Sequence, residues 1–300
     1  MRRRPLTLAL PLVVVASLAL AACGGGSGDS ASDDAAVDTT PAGATIDPVE
    51  CAKGKTLEAD VLTVATGNPA YSPWVLDDKP ESKEGFEAAV AYAVATELGF
   101  GNDQVKWVRT GFDEAIQPGA KNFDFNLQQF TITEERKANV SFSDPYYSTN
   151  QAIVGLADSK AKGITTVADL KGLKFGAQVG TTSLEYITKV IQPTAEPFAY
   201  DDNAGAKAAL EAGQVDAIVL DLPTALYVSA VEIEGSAVLG QFPLTDQVAV
   251  DNFGLVFDLA NPLVECVNAA LANMKSEGTL DELTLTYLST NTEIPVIEVG

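Results

Sequence analysis

The stretch LKFGAQVGTTSLE, residues 173–185, combines a predicted strand, a tight turn and the start of a predicted helix. Apolar residues alternate with other residues from Leu173 to Val179, which is the period-two pattern of a β-strand. Past the turn, Thr182 and Glu185 stand three residues apart, which is the spacing of a capping box in the first turn of a helix. A strand that runs directly into a helix predicts one unit of an α/β fold.

The same succession of strand and helix recurs on both sides of this unit. β-rich or alternating runs stop at Gly, Asn or Pro, and helical periodicity follows several of them. Such alternation predicts mostly parallel sheets that are covered by helices. The predicted strands are 61–66, 105–108, 122–128, 151–156, 173–179, 215–220 and 253–257, and the main predicted helices are 85–99, 204–212 and 263–275.

The composition excludes several classes of chemistry. The chain has 300 residues, with 41 Asp and Glu against 19 Lys and Arg, and its formal net charge is -22. Such an acidic chain lacks a basic surface that could attract nucleic acids or anionic lipids, so we predict neither as a partner. His is absent, which excludes a Ser-His-Asp triad, a Cys-His dyad and zinc sites with imidazole ligands. The sequence has no cofactor or metal motif, and we predict no cofactor and no metal ion.

The N-terminus predicts export. Residues 1–23 read MRRRPLTLALPLVVVASLALAAC, in which three Arg precede an apolar run that ends in small residues. The apolar run is shorter than the roughly 20 residues of a spanning helix, so we favour a signal peptide over residues 1–22 rather than a membrane anchor. LAACG, residues 20–24, resembles a bacterial lipoprotein processing site. A lipidated Cys23 would anchor the mature protein to the outer face of the cell membrane.

Two features follow the lipidation site. Residues 23–50 are rich in Gly, Ser, Ala and Asp and carry no basic residue, which is typical of a disordered acidic tether. The remaining cysteines are Cys51 and Cys266, and export permits a disulfide between them. We favour this disulfide over two buried free thiols.

Polar residues gather where the predicted strands end, which is where open α/β sheets bind ligands. Arg136 could bind a carboxylate through two guanidinium nitrogens, helped by backbone N–H groups at Thr131 and Thr182. Asp221 could accept an ammonium group. The predicted walls of the pocket are the aromatic residues Tyr71, Trp74 and Phe112.

Each of these residues also has an ordinary structural interpretation. An Arg in the first turn of a helix is usually solvated, and an Asp before Leu-Pro is usually a turn residue. A Gly-Thr-Thr sequence at a helix start is usually a cap, and aromatic residues between prolines can simply pack. Their coincidence at strand ends favours a site for a small zwitterion.

Several ordered segments resemble the extracytoplasmic solute-binding proteins of family 3, specifically the members that bind polar amino acids for ABC importers. The resemblance extends from about residue 62 to residue 288, which is nearly all of the globular part. The segments that carry it are LTVAT followed by YSPW, GFEAAVAYAVATELG, FTITEERKANVSFSDPYY, DLKGLKFGAQVGTTS, ALEAGQVDAIVLDLPTA and VNAALANMKSEGTL.

This resemblance implies a two-lobed fold of the type II periplasmic-binding-protein class, in which each lobe is a mostly parallel sheet covered by helices. A hinge of two crossing strands would join the lobes, with one crossing at 146–151 and the other near 241–253. The implied first lobe is 51–149 plus 248–300, and the implied second lobe is 150–247.

The resemblance also implies roles for the site residues. Arg136 and the Thr131 amide would hold the carboxylate of the ligand from the first lobe, while Thr181 and Thr182 would close on it from the second. Asp221 would pair with the ammonium group.

This sequence departs from the family pattern at several positions. Gln129 stands where many relatives carry a small residue, and Gln128 and Gln129 could both extend side chains into the pocket. Asn68 stands where some relatives carry an acid that faces a basic ligand. The matched pocket motifs contain no second Arg, which disfavours an acidic ligand side chain. Polar neutral and moderately basic amino acids remain.

The resemblance predicts a monomeric, non-enzymatic protein that delivers its ligand to an ABC permease. One alternative is an exported enzyme on the same fold, similar to a dehydratase, with Asp221 and Glu185 as its candidate acids. Another alternative is a receptor that senses the ligand without transporting it.

Overall fold

The computed structural model of the protein describes residues 46–243, 250–288 and 293–299. The predicted signal peptide, Cys23 and most of the predicted tether lie outside these residues. The first described helix, α1, spans Pro48–Ala52 and includes the last residues of the segment predicted as a tether. Asp47 caps this helix, because its carboxylate accepts hydrogen bonds from the backbone N–H groups of Val49 and Glu50.

The first lobe is built on a five-stranded sheet whose strands are β1 Leu62–Gly67, β2 Val105–Thr110, β3 Phe125–Asn126, β4 Ser141–Phe142 and β12 Val256–Phe257. The strand order is β2-β1-β3-β12-β4. Its helices are α1, α2 Phe86–Glu97, α3 Phe112–Ile116, α4 Glu134–Lys137, α9 Leu263–Ser276 and α10 Thr279–Tyr287. Helices α2 and α9 pack on the face of β1 that carries Leu62 and Val64 and form with it the larger core of this lobe.

The second lobe has its own five-stranded sheet. Its strands are β6 Gln151–Leu156, β7 Phe175–Gln178, β8 Phe198–Tyr200, β9 Ala217–Asp221 and β10 Ser236–Gln241, in the order β10-β6-β9-β7-β8. Its helices are α5 Val167–Leu170, α6 Thr182–Tyr186, α7 Asn203–Glu211 and α8 Leu222–Tyr227, and short π-helical segments continue α6 and α8. Two apolar clusters cover the two faces of this sheet.

Two strands cross between the lobes and form the hinge. They are β5 Tyr147–Thr149 and β11 Asp251–Phe253, which pair antiparallel. The predicted two-lobed fold with a two-strand hinge is therefore confirmed.

Both sheets are mixed, where the sequence predicted mostly parallel ones. In each sheet two neighbouring pairs are parallel and two are antiparallel. The reversed strands are β6 and β12, each of which follows a hinge strand along the chain. β6 runs antiparallel to β9 and β10, and β12 runs antiparallel to β3 and β4. A strand that starts at the hinge runs opposite to neighbours that end there. Alternation of strands and helices along the sequence does not report this reversal.

The C-terminal segment 293–299 packs on the second lobe rather than on the first, to which the sequence analysis assigned it. Glu298 forms a bridge with Thr166, and Val296 forms one with Gln241. Ile297 is buried in the apolar cluster of the second lobe.

The predicted disulfide between Cys51 and Cys266 is present and joins α1 to α9. Helix α6 begins one residue earlier than its capping-box pattern indicates, since the N-cap is Thr181. Within the described ranges, no helix is long and apolar enough to span a bilayer.

Candidate functional site

A cavity of about 270 Å³ lies between the two lobes, beside the hinge. The carboxyl ends of β1, β3, β7 and β9 face it, as expected for ligand sites of open α/β sheets. Every predicted ligand-binding residue lines this cavity except Thr131. Those that line it are Asn68, Tyr71, Trp74, Phe112, Gln128, Gln129, Arg136, Thr181, Thr182 and Asp221.

Arg136 lies in α4 and is buried, with 7% of its surface exposed. Its Nη1 donates to the Thr131 carbonyl at 2.7 Å, and its Nη2 donates to the Gly180 carbonyl of the other lobe at 2.9 Å. Burial lowers the pKa of Arg136 to about 10, so the guanidinium stays charged at neutral pH. Because a guanidinium has five N–H donors, Arg136 keeps donors for an anion in the cavity.

Thr131 is not among the residues that line the cavity, and its side chain is hydrogen-bonded elsewhere. Its hydroxyl donates to Asp251 at 2.9 Å and lies 3.3 Å from the Thr182 hydroxyl of the other lobe. Asp251 is buried on the hinge strand β11 and also accepts a hydrogen bond from Gln151. Thr131 therefore connects the hinge to the helix start at Thr182, and its side chain does not face the cavity.

The start of α6 closes the cavity from the second lobe. The Thr181 hydroxyl accepts from the Leu184 N–H at 3.2 Å and donates to the Gln178 carbonyl at 2.7 Å, so this side chain acts as a helix cap. Thr182 follows it at the first position of the helix. The first backbone N–H groups of a helix lack intrahelical acceptors, and Thr181, Thr182 and Ser183 line the same cavity as Arg136.

Asp221 ends β9 and caps α8. Its Oδ1 accepts from the Thr224 N–H at 3.0 Å, and its Oδ2 accepts from the Thr224 hydroxyl at 2.8 Å. The same hydroxyl accepts a hydrogen bond from the Trp74 indole of the first lobe at 2.8 Å. The pKa of Asp221 is raised to about 6, chiefly by burial and in part by the charge of Asp251, although the two bonds from Thr224 lower it.

The remaining predicted residues form the walls. Phe112 stacks on Phe130 with ring centroids 4.5 Å apart, and the Arg136 guanidinium lies 5.4 Å from the Phe112 ring. Burial raises the pKa of Tyr71 to about 12, and the charge of Asp202 adds to the effect. The Gln128 amide donates to Thr110 and Asn126.

Glu87 is a cavity residue that the sequence analysis missed. It is 1% exposed and accepts hydrogen bonds from the Tyr146 hydroxyl, the Gln129 backbone N–H and the Gln129 side-chain amide. Burial raises its pKa to about 7, although these three bonds lower it. The Gln129 side chain is held by Glu87, and its backbone adopts the left-handed region with φ 52°. An acid on the apolar face of the predicted helix 85–99 was the only signal in the sequence.

The lobes are closed on each other around the cavity. Three hydrogen bonds between described residues join them directly: Trp74 to Thr224, Arg136 to Gly180, and Thr131 to Thr182. The Lys207 ammonium of the second lobe also lies 5.1 Å from the Tyr71 ring of the first. Among the described residues that line the cavity, Arg136 is the only cation. The acids that line it are Glu87, Asp201, Asp202 and Asp221.

Comparison with known proteins identifies the family. The ABC transporter glutamine-binding protein GlnH of Bacillus subtilis is 31% identical over 203 residues, which cover 67% of this chain and 71% of that protein. The structure of an ancestral arginine-binding protein bound to arginine has a TM-score of 0.63 at 33% identity and covers 76% of this chain and 98% of that chain. The ancestral amino acid-binding protein AncCDT-1, described as a precursor of cyclohexadienyl dehydratase, has a TM-score of 0.64 at 32% identity, with 77% and 96% covered. Residues 62–290 match the family model of the bacterial extracellular solute-binding proteins, family 3, and the chain belongs to this family.

Proposed function

We propose that the protein captures an amino acid by closure of its two lobes and delivers it to an ABC permease. The observation that carries this proposal is the placement of Arg136 and Asp221. One is a cation of the first lobe, the other is an acid of the second lobe, and both line the same cavity. A zwitterion can satisfy both charges only when the lobes are closed.

The α-carboxylate binds Arg136 and the first turn of α6. The guanidinium already spans the cleft through its bond to Gly180, so a carboxylate in front of it meets donors from both lobes. The α-ammonium binds Asp221, whose two oxygens are held in place by Thr224. Binding therefore shifts an equilibrium between open and closed forms by the difference in affinity between them.

The side chain of the bound amino acid is neutral or cationic. With the α-carboxylate on Arg136, the cavity offers an acidic side chain no second cation among the described lining residues. Asp201 and Asp202 add negative charge to the same cavity. An acidic side chain would lie in this negative field without a partner, which costs free energy. The relatives that bind glutamine and arginine fit this charge balance.

Calorimetry of the purified protein against the common amino acids tests the function. The Arg136→Ala variant should bind the best wild-type ligand about thirty-fold to several-thousand-fold more weakly, because a carboxylate would then lack its cationic partner. Lys275→Ala, an exposed change on α9, removes one positive charge away from the cavity and should bind as the wild type does. Absence of binding by the wild type to every amino acid would refute the proposed ligand class.

An exported enzyme on the same fold is the second candidate, because one compared protein is described as a precursor of cyclohexadienyl dehydratase. Of the two acids proposed for this alternative, Asp221 lines the cavity, whereas Glu185 does not and pairs with Lys189. The two acids that this alternative requires, Asp221 and Glu185, therefore do not share the cavity. Recovery of chemically unchanged ligand after long incubation would support binding without catalysis.

The protein acts on the outer face of the cell membrane as a monomer, anchored by a lipid on Cys23. The family description as extracellular solute-binding proteins supports this location. Labelling with a radioactive fatty acid that is lost in Cys23→Ala would test the anchor. Deletion of this protein would distinguish transport from sensing: loss of amino acid import through the permease would support transport, and unchanged import would support sensing.

A further inference from the structure

Of the three hydrogen bonds that join the lobes, the bond between Trp74 and Thr224 is the one in which both partners are buried. Trp74 is 1% exposed and Thr224 is 5% exposed, so their hydrogen bond of 2.8 Å is shielded from water. Its two partners are uncharged, and neither is placed to neutralise a charge of a ligand. A buried hydrogen bond between two lobes exists only while the lobes are closed.

The direction of this hydrogen bond follows from chemistry. An indole N–H can only donate, so the Thr224 hydroxyl must act as the acceptor toward Trp74. The single proton of that hydroxyl is then available for Asp221, whose Oδ2 lies 2.8 Å away. The result is a relay from the Trp74 N–H through Thr224 to the Asp221 carboxylate.

Thr224 holds both oxygens of Asp221. Its backbone N–H donates to Oδ1 at 3.0 Å, while its hydroxyl donates to Oδ2. A carboxylate that is hydrogen-bonded at both oxygens has a fixed plane and presents its remaining lone pairs in fixed directions. Loss of the hydroxyl leaves one of these two bonds.

The hinge fixes the position of the Trp74 ring. Its centroid lies 6.0 Å from that of Tyr147 and 5.7 Å from that of Phe253, with edge-to-face geometry in both pairs. Tyr147 and Phe253 face each other across the two hinge strands. Phe86 of α2 packs on a further side of the ring at 5.8 Å. The indole is thus held by the first lobe and the hinge, and opening withdraws its N–H from Thr224.

We propose that Trp74 and Thr224 form a clasp between the lobes that positions Asp221 for the ammonium group only when the lobes are closed. The inference rests on the proposed function for the ligand, but the clasp itself is a hydrogen bond between protein atoms that the closed form makes with or without a ligand. Trp74 and Thr224 are positioning residues, since they act on the ligand through Asp221.

Two measurements on Thr224→Val test the clasp. The chain has two tryptophans, so nuclear magnetic resonance of the ¹⁵N-labelled protein gives two indole N–H signals, and Trp107→Phe identifies the signal of Trp74. In ligand-free Thr224→Val, the Trp74 indole proton should exchange with solvent about tenfold faster than in the wild type. Affinities for L-arginine and L-glutamine, measured by calorimetry, should fall about tenfold in the same variant.

Matched variants separate a positioning role from a general loss of stability. Thr224→Ser keeps the hydroxyl and should restore both the slow exchange and the affinity. Thr286→Val removes a threonine hydroxyl from the exposed side of α10 and should change neither. Trp74→Phe should also weaken ligand binding. In the double variant, Trp74→Phe plus Thr224→Val, the total loss of affinity should be smaller than the sum of the two single losses, because both changes remove the same hydrogen bond.

The outcomes that overturn the clasp are distinct from those that overturn the function. Unchanged indole exchange in Thr224→Val, a Thr224→Ser variant as impaired as Thr224→Val, or strictly additive effects in the double variant would each refute it. If the wild type binds neither L-arginine nor L-glutamine, the choice of ligand is refuted, while the indole exchange of the ligand-free protein still decides the clasp.

Discussion

Two of the acids that line the cavity, Glu87 and Asp221, have different surroundings. Glu87 accepts three hydrogen bonds from the first lobe and the hinge, and it is enclosed. Asp221 accepts two bonds, both from its own helix start, and keeps capacity for a further donor. Burial raises the pKa of both acids; the charge of Asp221 also raises the pKa of Glu87, and the charge of Asp251 also raises that of Asp221. Glu87 therefore holds Gln129 in place, and the free capacity of Asp221 supports the proposal that it binds the ligand.

The pKa of Asp221 predicts opposite effects of pH on stability and on binding. The pKa is raised from 3.8 to about 6, so the folded state favours the protonated acid. Its stabilising contribution in the ligand-free protein is fully present below about pH 4 and is lost as the pH rises through about 6. An ammonium ligand needs the ionised acid, so affinity should rise about tenfold per pH unit up to about pH 6 and then level off.

Calorimetric titrations from pH 4 to pH 8 would check this prediction for the best amino acid ligand. Asp221→Asn should bind weakly and lose the rise below pH 6. Asp281→Asn, a change in the exposed first turn of α10, should retain it. Glu87, whose pKa burial raises to about 7, also lines the cavity, so an unaltered profile in Asp221→Asn would assign the titration to Glu87 instead.

Much of the candidate site could be predicted from residues that follow strands in the sequence. Asp221 stands directly after a strand-like run, Arg136 lies in the segment that follows another, and strand ends meet at one edge of a sheet. Glu87 could not be assigned in this way, because its partners Gln129 and Tyr146 are 42 and 59 residues away. An acid on a helix usually faces solvent, and only the packed structure reveals that this one is enclosed.

At the scale of elements, local patterns predicted the existence of most strands and helices but not their pairing. The run 122–128 alternates along its length, yet β3 pairs only at Phe125–Asn126. Its neighbours β1 and β12 approach from opposite directions, and the chain then turns at Gln129 with its positive φ. The segment 293–299 likewise depends on contacts with the second lobe that no local pattern encodes.

The disulfide between α1 and α9 should stabilise the fold without affecting the ligand site. It closes a loop with a sequence separation of 215 residues, and neither cysteine lines the cavity. In the chain-entropy model a loop of this size contributes about 5 kcal/mol. The free energy of unfolding of a Cys51→Ser/Cys266→Ser variant should therefore be lower than that of the wild type by up to this amount, so the variant should unfold at a lower urea concentration. Its affinity for the amino acid should stay within about twofold of the wild type.

Urea titrations with and without a reducing agent would test this prediction. The wild type should approach the stability of the double variant once it is reduced, and the variant should not respond to the reductant. A loss of affinity that accompanies reduction under native conditions would show instead that the disulfide also supports the site.

For the whole molecule, the contacts between the lobes decide how strongly closure depends on the ligand. Gly180 lies at the cleft with φ +72°, and its carbonyl accepts the bond from Arg136. A Cβ atom at this position would overlap the Asp113 carboxylate of the first lobe, so the Asp113 side chain would have to move before the lobes could close. In the open form Asp113 and residue 180 separate, so a side chain there penalises the closed form selectively.

Gly180→Ala should therefore weaken amino acid binding about tenfold or more, because part of the binding free energy would be used against this overlap. Small-angle X-ray scattering should show a larger radius of gyration for the ligand-free variant than for the wild type. Alanine at a left-handed position also destabilises the fold by about 1 kcal/mol, and Gly213→Ala controls for this, since Gly213 has φ +67° and open space around its Cα. Asp113→Ala combined with Gly180→Ala removes the obstructing carboxylate and should restore binding and compactness. If the double variant remained as weak as Gly180→Ala, or if Gly213→Ala weakened binding equally, the effect would be local strain and not an obstacle to closure.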